Sequence, residues 1–423
     1  MDKKEILTLL NAETAEKRLE NLRMLIASET EKPLARPEYA NNHIHTKFSF
    51  SPYSPTAAVY FARAEGLLTC GIMDHDSIAG AAEFREAGKI AGMGTTCGFE
   101  ARVSFAGTPF ENRRTNHPDQ VGASYMAFHS IPCESFEKAR KKLRELSEKR
   151  NERNRKMVEK INSITSSYGI TVDFDRDVLP ISNFAAGGSV TERHLLYALS
   201  LKIIEKVGRE NVLSFLKNEL KVTPSAKVEA WLADTDSEHF TYDVLGVMKS
   251  ELNARTYIAA DEEMMTLAEA VEFANDIGAT LCYAYLGDVG VSATGDKKAQ
   301  KFEDDYLEEL FDTLRDCQFS AVTYMPSRNT KEQLARVMQY CHERGLYEIS
   351  GEDINSPRQS FICQALADPA YAHLRTATYA LIGHEKAASE DQTKSMFSDE
   401  TRAKYPTLAE RVAIYSKLGG YED

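Results

Sequence analysis

The spacing of hydrophobic and polar positions changes along the chain and predicts the order of its elements. Residues 3–28 carry apolar side chains at helical intervals, which predicts one leading amphipathic helix. From residue 41 short apolar runs alternate with helical patterns as far as residue 131, and the alternation resumes at residue 257. Such alternation is typical of parallel strands in an α/β layer or barrel.

Between these two regions the pattern is different. A long, highly charged helix with few apolar positions is predicted over 135–167, and the chain stays helical and polar as far as residue 256. We therefore predict an N-terminal helical arm at 1–34 and a barrel in two parts at 35–133 and 257–360. A helical insert at 134–256 separates the two parts, and a C-terminal helical extension follows at 361–423. Capping boxes mark two helix starts in the second barrel part, Thr266 with Glu269 and Thr330 with Gln333.

The stretch NNHIHT places His43 and His45 one residue apart in a predicted strand. Strand side chains alternate between faces, so both imidazoles point the same way. Such a pair suits one divalent metal, whose ligands must converge on a point. Two satisfied or exposed histidines at a strand edge are the alternative, and this pair alone does not decide between them.

Further histidine and acidic residues lie at the ends of later predicted strands, where parallel barrels carry their chemistry. They are His75 between Asp74 and Asp76, then Glu100, His129 and Asp353. A buried glutamate is costly unless it is paired or metal-bound, which favours a ligand at Glu100. The alternatives are a salt-bridged turn at His75 and an outward-facing side chain at Glu100, and His129 alone favours neither interpretation. We expect Asp74 or Asp76 to fix the tautomer of one imidazole.

Composition limits the classes of partner. The chain has 423 residues, 51 basic and 64 acidic, so its net charge of −13 disfavours general binding of nucleic acid or anionic membrane. No apolar run reaches the length of a membrane span, and the N-terminus lacks a signal-peptide pattern. The seven cysteines are scattered without a C-x-x-C, which fits reduced thiols. We expect a cytoplasmic protein, and the sequence indicates no oligomeric state.

Together these motifs resemble the PHP family, the polymerase and histidinol phosphatase hydrolases. Its H-x-H motif matches His43 and His45, its second motif matches His75 with the flanking aspartates, and its third matches Glu100. The histidine of the following strand matches His129. The resemblance implies an α/β fold with an irregular seven-stranded (β/α) barrel, here with an inserted helical module and extra N- and C-terminal helices.

The similarity is greatest to the small nucleotide phosphoesterase branch, in which a helical module precedes a further ligand. The segments RNERNRKMVEKI and GGSVTERHLLYAL resemble that module, which implies that His194 reaches the metals. The resemblance extends over roughly 40–133, 150–199 and 255–360 and is spread over six separate motifs, so it is more specific than a lone H-x-H.

The chain departs from the family pattern at three places. The closing Asp-x-His motif has Asp353 followed by Asn355, and the usual Asp or His after the first motif is replaced by Phe50. The strand that normally ends A-H-P carries Tyr283 or Tyr285 where the histidine would stand. An amide is a weaker ligand than an imidazole and a phenyl ring is none, so we expect fewer than three tightly bound ions, with two as the expected number.

The resemblance implies hydrolysis of a phosphoester of a small phosphorylated metabolite or nucleotide by a metal-activated water. One to three divalent ions, Mn, Zn or Fe, are implied, held by His43, His45, His75, Glu100, His129, His194 and Asp353. In this scheme His129 and His194 hold a third ion, and Asp74, Asp76 and Asn355 support the ligands. Arg193, Arg328 and Arg358 lie in or beside the ligand-bearing segments and are candidates for contacts with substrate phosphate.

Two alternatives remain at the level of sequence. One is a degenerate PHP protein that binds metal and ligand without turnover. Whether Phe50 and Asn355 still allow two ions to bind around one water distinguishes it from an active hydrolase. A nucleic-acid-processing nuclease is disfavoured, because the chain is acidic and lacks a basic stripe.

Overall fold

The apolar runs form the strands of one curled sheet. A computed structural model describes residues 1–290 and 300–421. Within these ranges the strands are β1 Asn41–Ile44, β2 Thr69–His75, β3 Gly94–Ser104, β4 Ala123–His129, β5 Met265–Thr266, β6 Thr280–Tyr285, β7 Ala321–Tyr324 and β8 Tyr347–Ser350.

The helices follow the predicted order with one difference at the N-terminus. They are α1 Lys3–Leu10, α2 Ala15–Ala27, α3 Pro55–Ala64, α4 Ala81–Ala91, α5 Phe136–Thr165, α6 Glu192–Val207, α7 Val212–Asn218, α8 Ala226–Ala233, α9 Phe240–Thr256, α10 Leu267–Ile277, α11 Leu307–Asp316, α12 Lys331–Arg344, α13 Ala372–Glu390, α14 Asp399–Lys404 and α15 Leu408–Leu418. The single leading helix predicted over 3–28 is wrong, because α1 ends at Leu10 and Thr14 caps a new helix. Both predicted capping boxes are present.

The sheet has the order β1-β2-β3-β4-β6-β7-β8, and β5 pairs with β3. A bridge between Ile44 and Ile354 links the two ends of this path, so the sheet curls back toward itself. The expectation of uniformly parallel pairing is wrong for β4, which runs antiparallel to β3 and β6. No helix lies between β3 and β4 to return the chain to its starting edge, and a parallel pair needs such a crossover.

Helix α13 covers the inner face of the curled sheet. Residues paired in register share a face, and Met73, Ala127, Cys282 and Ala321 lie on the face that packs against Ala377, Ala380 and Leu381 of α13. The helical prediction for 361–423 is therefore correct for this segment, and about half of the residues of α13 are buried. No sequence motif had indicated that this helix completes the core.

The insert has a hydrophobic core of its own. Its buried apolar residues, from Met157 to Leu252, form one cluster that Phe50 joins from the barrel side. The first half of α5 instead packs on the main core through Ala139, Leu143 and Leu146. The predicted domain boundaries remain a prediction. In the described part of the chain, no helix is both long and apolar enough to cross a membrane.

Candidate metal centre

Five predicted ligands converge at one edge of the sheet. His43 lies in β1 and His45 directly after it, and their ring centroids are 5.1 Å apart. His75 ends β2 and is in register with Glu100 of β3. Asp353 follows β8. The five side chains therefore meet at the level where the parallel strands β1, β2 and β8 end, the usual place for chemistry in such folds.

The ligand atoms form two overlapping groups. One is His43, His45 and Asp353, and the other is His45, His75 and Glu100, with the candidate atoms of each group within 4.8 Å of one another. A Glu100 carboxylate oxygen lies 3.1 Å from His75 Nδ1 and 3.7 Å from His43 Nε2. An Asp353 oxygen lies 3.1 Å from His45 Nε2. Each group can hold one cation, and His45 belongs to both.

The electrostatics of the site favour a neutral His75 and an ionised Asp353, and they act on His43 in the opposite sense from His75. Burial, assisted by His45, holds the pKa of His75 well below its ordinary value, so this ring is neutral at neutral pH. Burial opposes ionisation of Asp353, but His45 and His43 hold its pKa well below the usual range. Burial also disfavours charged His43, yet Glu100 raises its pKa above the ordinary value. Neutral imidazoles and ionised carboxylates are the states that bind metal.

A buried hydrogen-bond chain fixes the tautomer of His45. Asp74 accepts hydrogen bonds of 2.6 Å each from the Thr46 amide, the Thr46 hydroxyl and the Ser49 hydroxyl. Ser49 Oγ is also 3.2 Å from His45 Nδ1. Because Ser49 gives its one proton to the carboxylate, its oxygen accepts from His45, so Nδ1 carries the hydrogen. Nε2 then keeps its lone pair for a ligand, as expected for a partner of a metal-binding histidine.

The two other predicted supporting residues also lie beside ligands. Asn355 Nδ2 donates to an Asp353 oxygen at 2.5 Å, so the amide contacts a ligand rather than joining either group. Asp76 forms an ion pair with Arg150 of α5, and its amide donates to the Glu100 carbonyl at 2.8 Å.

His129 is brought into neither group. Because β4 is antiparallel, its last residue lies level with the start of β6 and deeper than Glu100, which is opposite Ala127. His129 shares the face of Glu100 and lies within electrostatic reach of His43, and its role as a ligand stays a prediction. Burial lowers the pKa of His129 to about 3, and its Nε2 has no hydrogen-bond partner.

His194 also lies outside both groups in the described residues. It is the third residue of α6, and its Nδ1 accepts a hydrogen bond of 3.0 Å from the Thr191 amide. Its ring packs edge-on against Phe50, with 5.0 Å between centroids. Burial lowers its pKa to about 3. Of the two residues expected to hold a third ion, His194 packs against the ring of Phe50, and neither His194 nor His129 belongs to a group of converging ligand atoms in the described residues.

Two of the three predicted phosphate-binding arginines are half-buried without a carboxylate partner among the described residues. The guanidinium of Arg193 lies 5.2 Å from the ring centroid of Phe50, and its Nε has no hydrogen-bond partner. Arg328 donates to the Leu286 carbonyl at 3.2 Å. Burial lowers the pKa of both arginines, and Asp353 opposes the change in both cases, so both lie within electrostatic reach of the ligand groups.

Arg358 is differently placed. Both ends of its guanidinium donate to the Asp243 carboxylate, at 2.9 Å each, and the group stacks 4.7 Å from the ring of Trp231. This bidentate pair ties the segment after β8 to the insert and leaves Arg358 poorly suited to bind phosphate.

Sequence reasoning missed Tyr125. Its ring centroid lies 5.4 Å from that of His75, and its hydroxyl accepts a hydrogen bond of 3.1 Å from Arg102. Ala127 of β4 lies opposite Glu100, and Tyr125 shares its face of the strand because side chains alternate with a period of two. This alternation in the sequence could have identified Tyr125. Using it required the direction of β4, which the local sequence does not give.

The donor set fits a divalent metal. Three imidazoles and two carboxylates suit Zn, Mn or Fe. The buried Nε2 of His45 has no hydrogen-bond partner, which is costly for a polar atom unless a ligand satisfies it. We conclude that the described residues contain groups able to hold a divalent cation.

No protein-family model and no curated protein sequence matches the chain. Among solved structures, one described as a metal-dependent phosphoesterase from Bifidobacterium adolescentis matches with a TM-score of 0.50 at 19% identity, covering 80% of this chain and 96% of that one. An amidohydrolase from Chromobacterium violaceum, with bound sulfate and no metal, matches with a TM-score of 0.50 at 16% identity, covering the same shares. At these identities the likeness shows a hydrolase-like fold alone.

Proposed function

We propose that this protein is a metal-dependent phosphoesterase of the PHP type, acting on a small phosphorylated metabolite or nucleotide. The observation that carries the proposal is the pair of overlapping ligand groups that share His45 at one edge of the sheet. The fold is shared with a structure described as a metal-dependent phosphoesterase and with another that holds sulfate, a tetrahedral anion like phosphate.

A bound divalent ion would lower the pKa of its water to about 7 and so supply a nucleophile near neutral pH. His43, His45 and Asp353 would hold one ion, and His75 with Glu100 would hold a second. The Asp74–Ser49 pair keeps the Nε2 of His45 free for this purpose.

The two arginines that have no carboxylate partner in the described part of the chain favour phosphate over an uncharged substrate. In a chain with 64 acidic residues, a half-buried guanidinium without a carboxylate partner is unusual. Arg193 and Arg328 both interact electrostatically with Asp353, so an anion bound at the metal centre lies within their influence. We propose that they orient phosphate oxygens, with planar forks suited to that geometry.

The test is release of inorganic phosphate from a panel of phosphomonoesters and nucleotides, with Mn²⁺ or Zn²⁺ supplied. We expect release by the wild type and none by His75→Ala, while His373→Ala, a partly exposed histidine on α13, should behave like the wild type. Amide substrates belong in the same panel. Cleavage of an amide without any phosphate release would contradict the proposal.

A non-catalytic role is the alternative, favoured by Phe50 and Asn355 in place of family ligands. Phe50 packs against His194, and Asn355 contacts Asp353. In that case the protein would bind Mn²⁺ and inorganic phosphate tightly but release no phosphate from any member of the panel.

A further inference from the structure

The turn that carries His75 is held by the helical insert from two sides. From the loop before α6, the Ser189 hydroxyl donates to the His75 carbonyl at 2.5 Å. The same loop accepts a hydrogen bond of 2.8 Å at the Gly187 carbonyl from Ser77. From α5, the Ser147 hydroxyl reaches the Asp76 carbonyl at 3.5 Å. Three successive residues of one turn therefore contact the insert.

The strongest of these contacts is electrostatic. Arg150 of α5 forms an ion pair with the Asp76 carboxylate, and both side chains are almost fully buried. The Nε of Arg150 also donates to Glu263 at 3.0 Å, which fixes the guanidinium from its other side. A buried ion pair with fixed geometry restrains both partners, because separating them would leave two unpaired buried charges.

The turn requires such restraint. Asp76 has φ of 45°, the left-handed region that L-residues other than glycine seldom adopt. Its amide donates to the Glu100 carbonyl at 2.8 Å, so this conformation sets how the end of β2 lies against β3. His75 immediately precedes it, and its Nδ1 lies 3.1 Å from the Glu100 carboxylate. Relaxation of Asp76 would turn the His75 imidazole away from that ligand.

We propose that the insert is a clamp on the turn 75–77 and that Arg150 is a positioning residue for the His75 imidazole. Arg150 touches no ligand atom and acts through Asp76. The insert thereby sets the affinity of the ion held by His45, His75 and Glu100, an inference that rests on the proposed metal centre.

Helix α5 offers a matched control. Arg153 is also buried and contacts Glu263 and Glu192, at 2.8 Å and 2.5 Å, and among the described residues it forms no ion pair with Asp76. Loss of either arginine should lower the melting temperature, because each leaves buried carboxylates short of a cation. The positioning role predicts a difference in metal binding between the two variants, whereas a purely structural role predicts none.

The experiment is calorimetric titration of full-length protein with Mn²⁺. We expect Arg150→Met to weaken one of the Mn²⁺ sites by about 10–100-fold, the range found when partners of metal ligands are removed. Arg153→Met should bind Mn²⁺ like the wild type, and Arg150→Lys should restore part of the affinity. Equal weakening by Arg150→Met and Arg153→Met, or no weakening by either, would overturn the clamp.

A milder pair of variants covers the case in which Arg150→Met does not fold. Ser189→Ala removes the hydrogen bond to the His75 carbonyl, and Ser200→Ala removes another buried serine hydroxyl of the insert, bonded to the Leu196 carbonyl. Only Ser189→Ala should weaken Mn²⁺ binding, and equal affinities would count against the clamp. A wild type that binds Mn²⁺ without cleaving phosphoesters contradicts the proposed function and leaves this comparison intact. A wild type that binds no Mn²⁺ overturns both.

Discussion

Two clusters of buried charged side chains lie side by side in this protein, and they differ in how their polar atoms are satisfied. In the ion-pair network between barrel and insert, three arginines meet three acids: Arg102, Arg150, Arg153, Asp76, Glu192 and Glu263. In the ligand cluster, His45 Nε2 is buried without a hydrogen-bond partner. Every acid of the first cluster is ion-paired with an arginine, whereas the second consists of histidines and acids that could hold a cation.

The pKa directions express the same contrast. Burial alone would raise the pKa of Glu192, yet Arg102 and Arg153 hold it well below the usual range. Burial lowers the pKa of His75, so the neutral ring keeps a lone pair that can bind a metal. Closed networks of opposite charge hold elements together, while unsatisfied groups of this kind indicate a ligand site. Four predictions test that distinction.

The largest effect is expected at His45, the residue common to both ligand groups. His45→Ala should abolish tight Mn²⁺ binding at the site shared with His43 and Asp353 and lower phosphate release by at least about 100-fold, since even losses around a metal ligand reach that size. Elemental analysis should find two ions per chain in the wild type and one in both His45→Ala and His43→Ala. Three tightly held ions in the wild type would contradict the interpretation of Phe50 and Asn355.

The next effect is on stability and concerns the network. Glu263 contacts Arg102, Arg150 and Arg153, so Glu263→Gln should cost about 3–5 kcal/mol of unfolding free energy, as when a buried pair loses one partner. Glu100→Gln, measured without metal, should change stability far less because its neighbours are imidazoles. Urea unfolding measures both. Equal losses would remove the distinction between the two clusters.

A third buried acid lies between these extremes. Burial raises the pKa of Glu385 on α13 to about 8 from 4.5, although the Cys97 amide and Arg85 act in the opposite direction. Between these values the folded chain keeps a proton that the unfolded chain releases, so stability falls as pH rises, by about 1.4 kcal/mol per pH unit.

Glu385→Gln should therefore flatten the stability profile between pH 4.5 and 8, as measured by urea unfolding across that window. Glu390→Gln, at an exposed position of the same helix, should leave the slope unchanged. If the slope persists in Glu385→Gln, other titrating groups cause the dependence of stability on pH.

The smallest effect separates an arginine with a carboxylate partner from one that has none within the described ranges. Arg193→Ala should raise KM for the cleaved phosphoester by about tenfold. This change corresponds to the lower end of the free energy that a hydrogen bond to a charged group contributes. Arg358→Ala should leave KM unchanged, because Arg358 is engaged with Asp243. Steady-state kinetics on one substrate from the panel gives both values, and a larger KM effect at Arg358 would reverse the assignment.

Much of the site was predictable because its signals are local. The alternation in β1 brings His43 and His45 to one site, and the apolar runs that end at His75 and Asp353 bring those residues to the same edge. The capping boxes likewise depend on residues three apart, and both formed.

The remaining features depend on contacts between distant parts of the chain. The direction of β4, which places His129 deeper than Glu100, follows from the connection between β3 and β4, which contains no crossover helix. The pairing of Arg358 with Asp243 joins residues 115 positions apart, and no local pattern identifies such a partner. The role of α13 was hidden for the same reason, since its partners are spread over β2, β4, β6 and β7.

The position of α13 also bears on how the protein is made. Ribosomes produce the strands first, and the helix that covers their inner face emerges only after β8. Until then Met73, Ala127 and Cys282 have no apolar partner from α13. A nascent sheet with an uncovered face is prone to aggregate, and chaperones bind such surfaces. Stalled or C-terminally truncated translation products should therefore be insoluble, even though every residue of the metal centre has already been synthesised.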